Sequence, residues 1–180
     1  MPMQVFPVVS TPKGSPSYSD TWGAPRSGGR THKGTDILAD EGTPVVAVDD
    51  GAVKFGTDPL GGNVATLNAP DRTRYYYAHL NGFEGKARAV KAGDVIGYVG
   101  MTGNAAQTGI NHLHFEVHPD GGDAVNPYPL LQEAAVVRWA PTLVQRVVSP
   151  AAASGIKYAL IVVGGFAAGF LVMWLKGKKR

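Results

Sequence analysis

The sequence predicts an all-β domain, a sandwich or barrel, followed by one C-terminal transmembrane α-helix. Three observations carry that reading. Between about residues 20 and 130 the chain breaks into short apolar runs rich in β-branched and aromatic residues, separated by Gly, Asp, Asn and Pro. No sustained helical period interrupts those runs. Residues 158–175 carry no charge at all and lead into a basic tail.

Taken in order, residues 1–19 (MPMQVFPVVSTPKGSPSYS) read as an extended lead-in. Three prolines fall in their first 12 positions, and no basic region precedes a long apolar run as it would in a cleaved signal peptide. Residues 20–130 hold the strands, among them TPVVAVDDGAVKFG, NVATLNAP, RYYYAHL, DVIGYVG and HLHFEVHPDGG. Asp49-Asp50-Gly51 and Asp120-Gly121-Gly122 are turn signals between or after them. Residues 131–155 form a connector. Its first part, through Val148, is rich in Ala, Leu and Val and predicts short helices interrupted at Pro141, and SPAAASG (149–155) reads as a linker.

Residues 156–175 are the predicted membrane helix. The uncharged stretch 158–175 rises about 27 Å as a helix, close to the thickness of a hydrocarbon core. Tyr158 and Trp174 sit near its two ends as interfacial aromatics do, with Lys157 and Lys176 just outside. Gly165 and Gly169 make a GxxxG step suited to helix packing. KGKKR (176–180) closes the chain.

Composition narrows the function classes. The 24 glycines and 13 prolines of the 180 residues signal many turns, and the glycines show no collagen-like period. The absence of cysteine excludes disulfides and thiolate metal sites. The net charge of +3 is a property of the tail: four of the 17 basic residues lie in 176–180, leaving 13 against 14 acidic residues elsewhere. A specific nucleic-acid partner is therefore not expected.

The chain has only five histidines, yet three fall between positions 112 and 118. On a strand, His112 and His114 project from one face while Leu113 and Phe115 point to the other, into a core. Adjacent imidazoles repel when protonated and are costly to bury without partners, a cost that a bound metal ion removes. GGRTHKGTDILAD offers His32 and Asp36 as further ligands, and a His/His/carboxylate set with an open fourth position is a known catalytic zinc arrangement. RYYYAHL adds His79. Taken singly, each element has a plainer reading: His79 as a packed or capping histidine, Tyr75, Tyr76 and Tyr77 as core and cross-strand pairs.

HKGTD, YAHL and HLHFEV, in that order, resemble the lysostaphin-like zinc endopeptidases of peptidase family M23, which cut peptide cross-links in bacterial cell walls. The resemblance runs from about Ser19 to Pro129 and includes GTPVVAVDDGAV and VKAGDVIGYVGMTG. It implies a lysostaphin-like peptidase domain with zinc as cofactor, held by His32, Asp36 and His114. It makes His112 the catalytic histidine and general base. His79, the second catalytic histidine lining the cleft, would orient water or stabilise the oxyanion, and the two can exchange duties. Asn63, after Gly61-Gly62, falls where the family often has a Gly-Asn pair near the cleft. His118 has no counterpart and is expected at the surface. The segment GNAAQTGINHLH departs from the family in placing Ile110-Asn111 directly before His112, which leaves the cleft rim and substrate preference open.

The implied function is zinc-dependent hydrolysis of peptidoglycan stem or bridge peptides by a membrane-tethered enzyme. The alternative is a non-catalytic peptidoglycan-binding module, or a structural virion or membrane protein. The basic tail favours the cytoplasmic side, placing the peptidase domain outside. The membrane of a lipid-containing phage virion, with other virion or membrane proteins as neighbours, is a second setting.

Overall fold

In the computed structural model of the chain, residues 3–138 are described, together with the backbone of 145–148 and 159–161. The strands are β1 (Ser17–Tyr18), β2 (Thr35–Leu38), β3 (Pro44–Val46), β4 (Gly51–Asp58), β5 (Gly62–Asn68), β6 (Arg74–Leu80), β7 (Gly82–Phe83), β8 (Arg88–Val90), β9 (Val95–Tyr98) and β10 (His112–His118). After them come one short helix, α1 (Tyr128–Glu133), and β11 (Val136–Arg138), β12 (Gln145–Val148) and β13 (Ala159–Ile161).

A seven-stranded sheet in the order β1-β2-β10-β6-β5-β4-β8 carries the molecule, and a three-stranded sheet, β3-β9-β7, accompanies it. The pairings within both are antiparallel. Strand periodicity explains how the large sheet is used. On β10, Leu113, Phe115 and Val117 enter the core, joined by Tyr75 and Tyr77 of β6 and Ile37 of β2. Val45 of β3 and Ile96 of β9 belong to the same core. The alternate positions His112, His114, Glu116, Tyr76 and Asp36 face the other way and line a cleft.

The lead-in is extended, as expected, and is built into the fold. Met3, Val5, Phe6, Val8 and Val9 are all buried. Its backbone is hydrogen-bonded on both sides, from Val46 N–H to the Pro7 carbonyl and from Ser10 N–H to the Val137 carbonyl. The connector differs from expectation. Its helix starts earlier, at Tyr128, lasts six residues and buries Leu131, and the chain then turns into strand β11 rather than a second helix. The β-branched pair Val136-Val137 favours a strand, and the lead-in offers an edge to it through the Val5–Ala135 and Ser10–Arg138 bridges.

The linker 149–155 and the tail 176–180 lie outside the described residues. So does the predicted membrane helix 156–175, except for Ala159–Ile161, which run as β13 against β12. Among the described residues no helix is long and apolar enough to cross a membrane.

Candidate metal centre

Three of the sequence-predicted site residues converge on one point. Asp36 and His114 are direct cross-strand partners on β2 and β10. His32 arrives from the preceding loop, whose Gly28 and Gly29 adopt left-handed backbone (φ 72° at each) that lets the chain double back. The potential ligand atoms of His32, Asp36 and His114 lie within 4.8 Å of one another. Asp36 Oδ1 is 3.0 Å from His32 Nε2 and 2.9 Å from His114 Nδ1, and those two nitrogens are 3.0 Å apart.

The outer nitrogens decide which inner ones are free to ligate. His32 Nδ1–H donates to the Thr21 carbonyl at 3.0 Å, and His114 Nε2–H donates to Glu116 Oε1 at 2.9 Å. Each leaves an inward lone pair beside a carboxylate. Two nitrogen lone pairs and one carboxylate oxygen aimed at a single point fit a zinc ion. Gly34 keeps the cradle open: a Cβ there would sit 2.5 Å from the Phe115 carbonyl oxygen and 2.8 Å from His114 Cε1.

Electrostatics agrees with a site built for a cation. Burial pushes the Asp36 pKa up, but without a metal ion the inner nitrogens of His114 and His32 in their protonated form donate to it, outweigh burial and hold the carboxyl well below its usual range; a metal ion would take the place of those protons. Burial lowers the His114 pKa, and hydrogen bonds to Asp36 and Glu116 more than reverse that. The same pattern holds Glu116 down at about 2: burial raises it, and hydrogen bonds from His114 and His118 prevail. Arg26 Nη2 meets the outer Asp36 oxygen, Oδ2, at 2.5 Å.

His79 and His112 stand beside this cluster, their rings edge to face with centroids 4.8 Å apart. His79 Nδ1–H donates to the Thr102 carbonyl and His112 Nδ1–H to the Ile110 carbonyl, each at 2.9 Å. In the neutral imidazole each therefore carries its lone pair on Nε2, and His112 Nε2 is 3.9 Å from Asp36 Oδ1. Burial, then the neighbouring His112 and His114, push the His79 pKa down to about 4.

How His79 reaches the cleft is not readable from strand alternation. Regular pleating would send it to the core face with Tyr75 and Tyr77. Instead β6 carries one residue more than β5 between the pairs Ala65–Tyr77 and Asn63–Leu80. This bulge puts His79 at φ 66° and re-aims its side chain. His79 N–H is tied to the Gly61 carbonyl at 2.7 Å. Thr102 Oγ1 donates to the Leu80 carbonyl and accepts from Asn63 N–H, while Asn63 Nδ2 donates to the Leu80 carbonyl. Asn63 thus braces the bulge instead of lining the cleft.

The cleft has a volume of about 1260 Å³. Of the three tyrosines Tyr76 faces it, donating from Oη to Asp58 Oδ2 at 2.5 Å. Arg30 and Lys33 also line it, and among the described residues neither has a carboxylate within ion-pair distance. Leu38, Leu60 and Ile110 are exposed apolar side chains on its walls.

One expectation is corrected. His118 is buried, not a surface residue, and its Nε2 lies 2.7 Å from Glu116 Oε2. Glu116, Thr21, Gly34 and Arg26 are the site residues that reasoning on motifs missed. Only Glu116 carried a signal, its two-residue step from His114 along the strand.

The model of peptidase family M23 matches residues 30–127. An L-Ala–D-Glu endopeptidase of Bacillus subtilis is 37% identical over 129 residues, covering 64% of this chain and 40% of that protein. Glycyl-glycine endopeptidase ALE-1 of Staphylococcus capitis is 38% identical over 113 residues, covering 59% of this chain and 30% of that one. The chain thus spans well under half the length of these curated relatives. The crystallised catalytic domain of lysostaphin from Staphylococcus simulans superposes with a TM-score of 0.57 at 31% identity, covering 64% of this chain and 91% of that domain.

Proposed function

The chain belongs to peptidase family M23, and from that premise we propose that it is a zinc endopeptidase hydrolysing peptides of bacterial peptidoglycan. The observation that carries the proposal is the convergence of His32, Asp36 and His114 beside two imidazoles, each tied through Nδ1 to a backbone carbonyl. A zinc ion held by those three side chains would polarise the scissile carbonyl and acidify the attacking water. His112 Nε2, beside the cluster, would accept a proton from the attacking water and return it to the leaving amine. His79, kept neutral by its burial, serves better as an acceptor that orients water than as a donor to an oxyanion. Its Nδ1 bond to Thr102 fixes that orientation.

The cleft favours one class of wall peptide. Arg30 and Lys33 present positive charge with no carboxylate partner among the described residues, whereas Asp58 and Glu116 are engaged by Tyr76 and by His114 and His118. Leu38, Leu60 and Ile110 supply apolar contact for methyl side chains. An alanine- and carboxylate-bearing stem peptide uses both features. An oligoglycine bridge uses neither.

One experiment tests both levels. Zinc-loaded protein is incubated with purified peptidoglycan, an acidic stem peptide and pentaglycine. His112→Ala should retain zinc and lose at least about 10²-fold in rate, and the stem peptide should be preferred. Arg30→Gln with Lys33→Gln should raise KM for the acidic peptide alone. Parent-rate cleavage by His112→Ala removes its assigned role, and zinc binding with no cleavage of any wall fragment favours a binding module.

The setting belongs to the same proposal. Residues 156–175 tether the enzyme to a membrane, with the basic tail on the cytoplasmic side and the peptidase domain on the other. Support comes from the uncharged stretch 158–175, its flanking Tyr158 and Trp174, and the lysines beyond. The envelope of a bacterium and the membrane of a phage particle both satisfy that arrangement.

A further inference from the structure

His112, His114, Glu116 and His118 occupy alternate positions of β10 and so form one row on one side of the strand, the first three lining the cleft and the last buried behind it. The mechanism uses the first two. The other two are joined to them by an unbroken chain of contacts: His114 Nε2 to Glu116 Oε1 at 2.9 Å, then Glu116 Oε2 to His118 Nε2 at 2.7 Å. Beyond them, His118 Nδ1 lies 2.8 Å from the Gly122 carbonyl and 3.0 Å from Arg74 Nη2. Whichever of these Nδ1 engages, only a proton on Nε2 makes the short contact with a carboxylate attractive.

We propose that Glu116, clamped from behind by His118, is a positioning residue that fixes the ring and tautomer of His114 and thereby sets metal affinity. The inference rests on the reading of His32, Asp36 and His114 as the zinc cradle. Imidazole can ligate through either nitrogen. A carboxylate accepting from Nε2–H commits His114 to ligate through Nδ1 and makes it a stronger ligand. A lone glutamate at this position could rotate away or turn its second oxygen on another donor. His118 engages that second oxygen, and since His118 is itself buried and anchored to Gly122 and Arg74, the carboxylate is held at both ends. Glu116 thereby acts through His114, and His118 through Glu116.

The test measures zinc affinity of the full chain in detergent by competition with a chromophoric chelator. Glu116→Gln keeps the shape but leaves one carbonyl oxygen to serve two N–H donors, so affinity should fall about 10–100-fold. His118→Ala should fall less, and the double variant should be no weaker than Glu116→Gln alone, because the second effect runs through the first. Long-range ¹H–¹⁵N spectra of the zinc protein should show His114 bound through Nδ1 in the parent, and a mixture of Nδ1 and Nε2 ligation in Glu116→Ala. Unfolding of the metal-free variants monitors the fold separately. Parent affinity in both Glu116 variants overturns the inference, as does full additivity of Glu116→Gln and His118→Ala. If the parent binds zinc no better than His114→Ala, the cradle reading itself falls.

Discussion

At His79 a single imidazole combines an unfavourable backbone with an unfavourable charge. Its φ of 66° lies where non-glycine residues are uncommon, and its ring is buried beside two other histidines. The consequence for stability has a definite sign. Unfolded, the imidazole binds a proton below about pH 6.5, whereas folded it does so only below about 4. Between those values the unfolded state holds more protons, so stability is fully present above pH 6.5 and is lost as pH falls toward 4. Denaturant titrations of the zinc-free protein should show this loss, with up to about 3 kcal/mol absent in His79→Asn. Asparagine is chosen because it tolerates the left-handed backbone. Equal pH dependence in both proteins would assign the acid sensitivity elsewhere. At this scale the sequence was informative about identity and silent about support. HxxxD and HxH marked candidate ligands by their local spacing, and the family resemblance joined His32, Asp36 and His114 into one set, which the fold brings together. Gly34 and Thr21 act only through groups distant in sequence, the Gly34 Cβ position against Phe115 and Thr21 against His32.

The β-strand alternation of β10 could be read directly, because its period of two separates Leu113 and Phe115 from His112 and His114 without help from any partner. The bulge in β6 could not. It exists because β5 and β6 differ by one residue between two registered pairs, a property of neither strand alone. Thr102 is its keystone: its hydroxyl joins Asn63 to Leu80, and its carbonyl holds His79. Thr102→Val retains the carbonyl and the shape but removes both hydroxyl bonds. We expect a loss of about 1–2 kcal/mol in stability and a lower turnover rate, with zinc affinity unchanged because the proposed ligands lie on β2, β10 and the His32 loop. Kinetics paired with chelator titration checks this. A matching fall in zinc affinity would mean that the bulge and the cradle are one unit. The connector differs from its expected helices for a related reason, since Val136 and Val137 form a strand by pairing with β12 and bridging to the lead-in, partners that local sequence does not reveal.

For the molecule as a whole, the two ends of the chain make opposite demands. Removing residues 1–10 strips Met3, Val5, Phe6, Val8 and Val9 from the interior, and the product should fail to fold, as circular dichroism and loss of zinc binding would show. A chain ending at Ser149 should instead remain soluble, zinc-loaded and active on wall fragments, since every proposed site residue precedes Pro119. The full chain should float with liposomes while the shortened one does not. Flotation of neither would remove the tether. The lead-in's role escaped sequence reading because its apolar residues follow no strand or helix period, and their burial depends on β3 and β11 closing over them.

The two-faced β10 strand bears on how such a protein can change over generations. Substitution can alter either face separately, but inserting or deleting one residue between His112 and His118 would exchange the faces downstream of that point, sending site residues inward and core residues out. Length variation is thus barred from this strand and left to the turns that flank it. Residues 104–110, which form one wall of the cleft and end in Ile110, are such a margin. Descendants of this chain would diversify what they cut by rewriting that margin, while the strand beside it stays the same length.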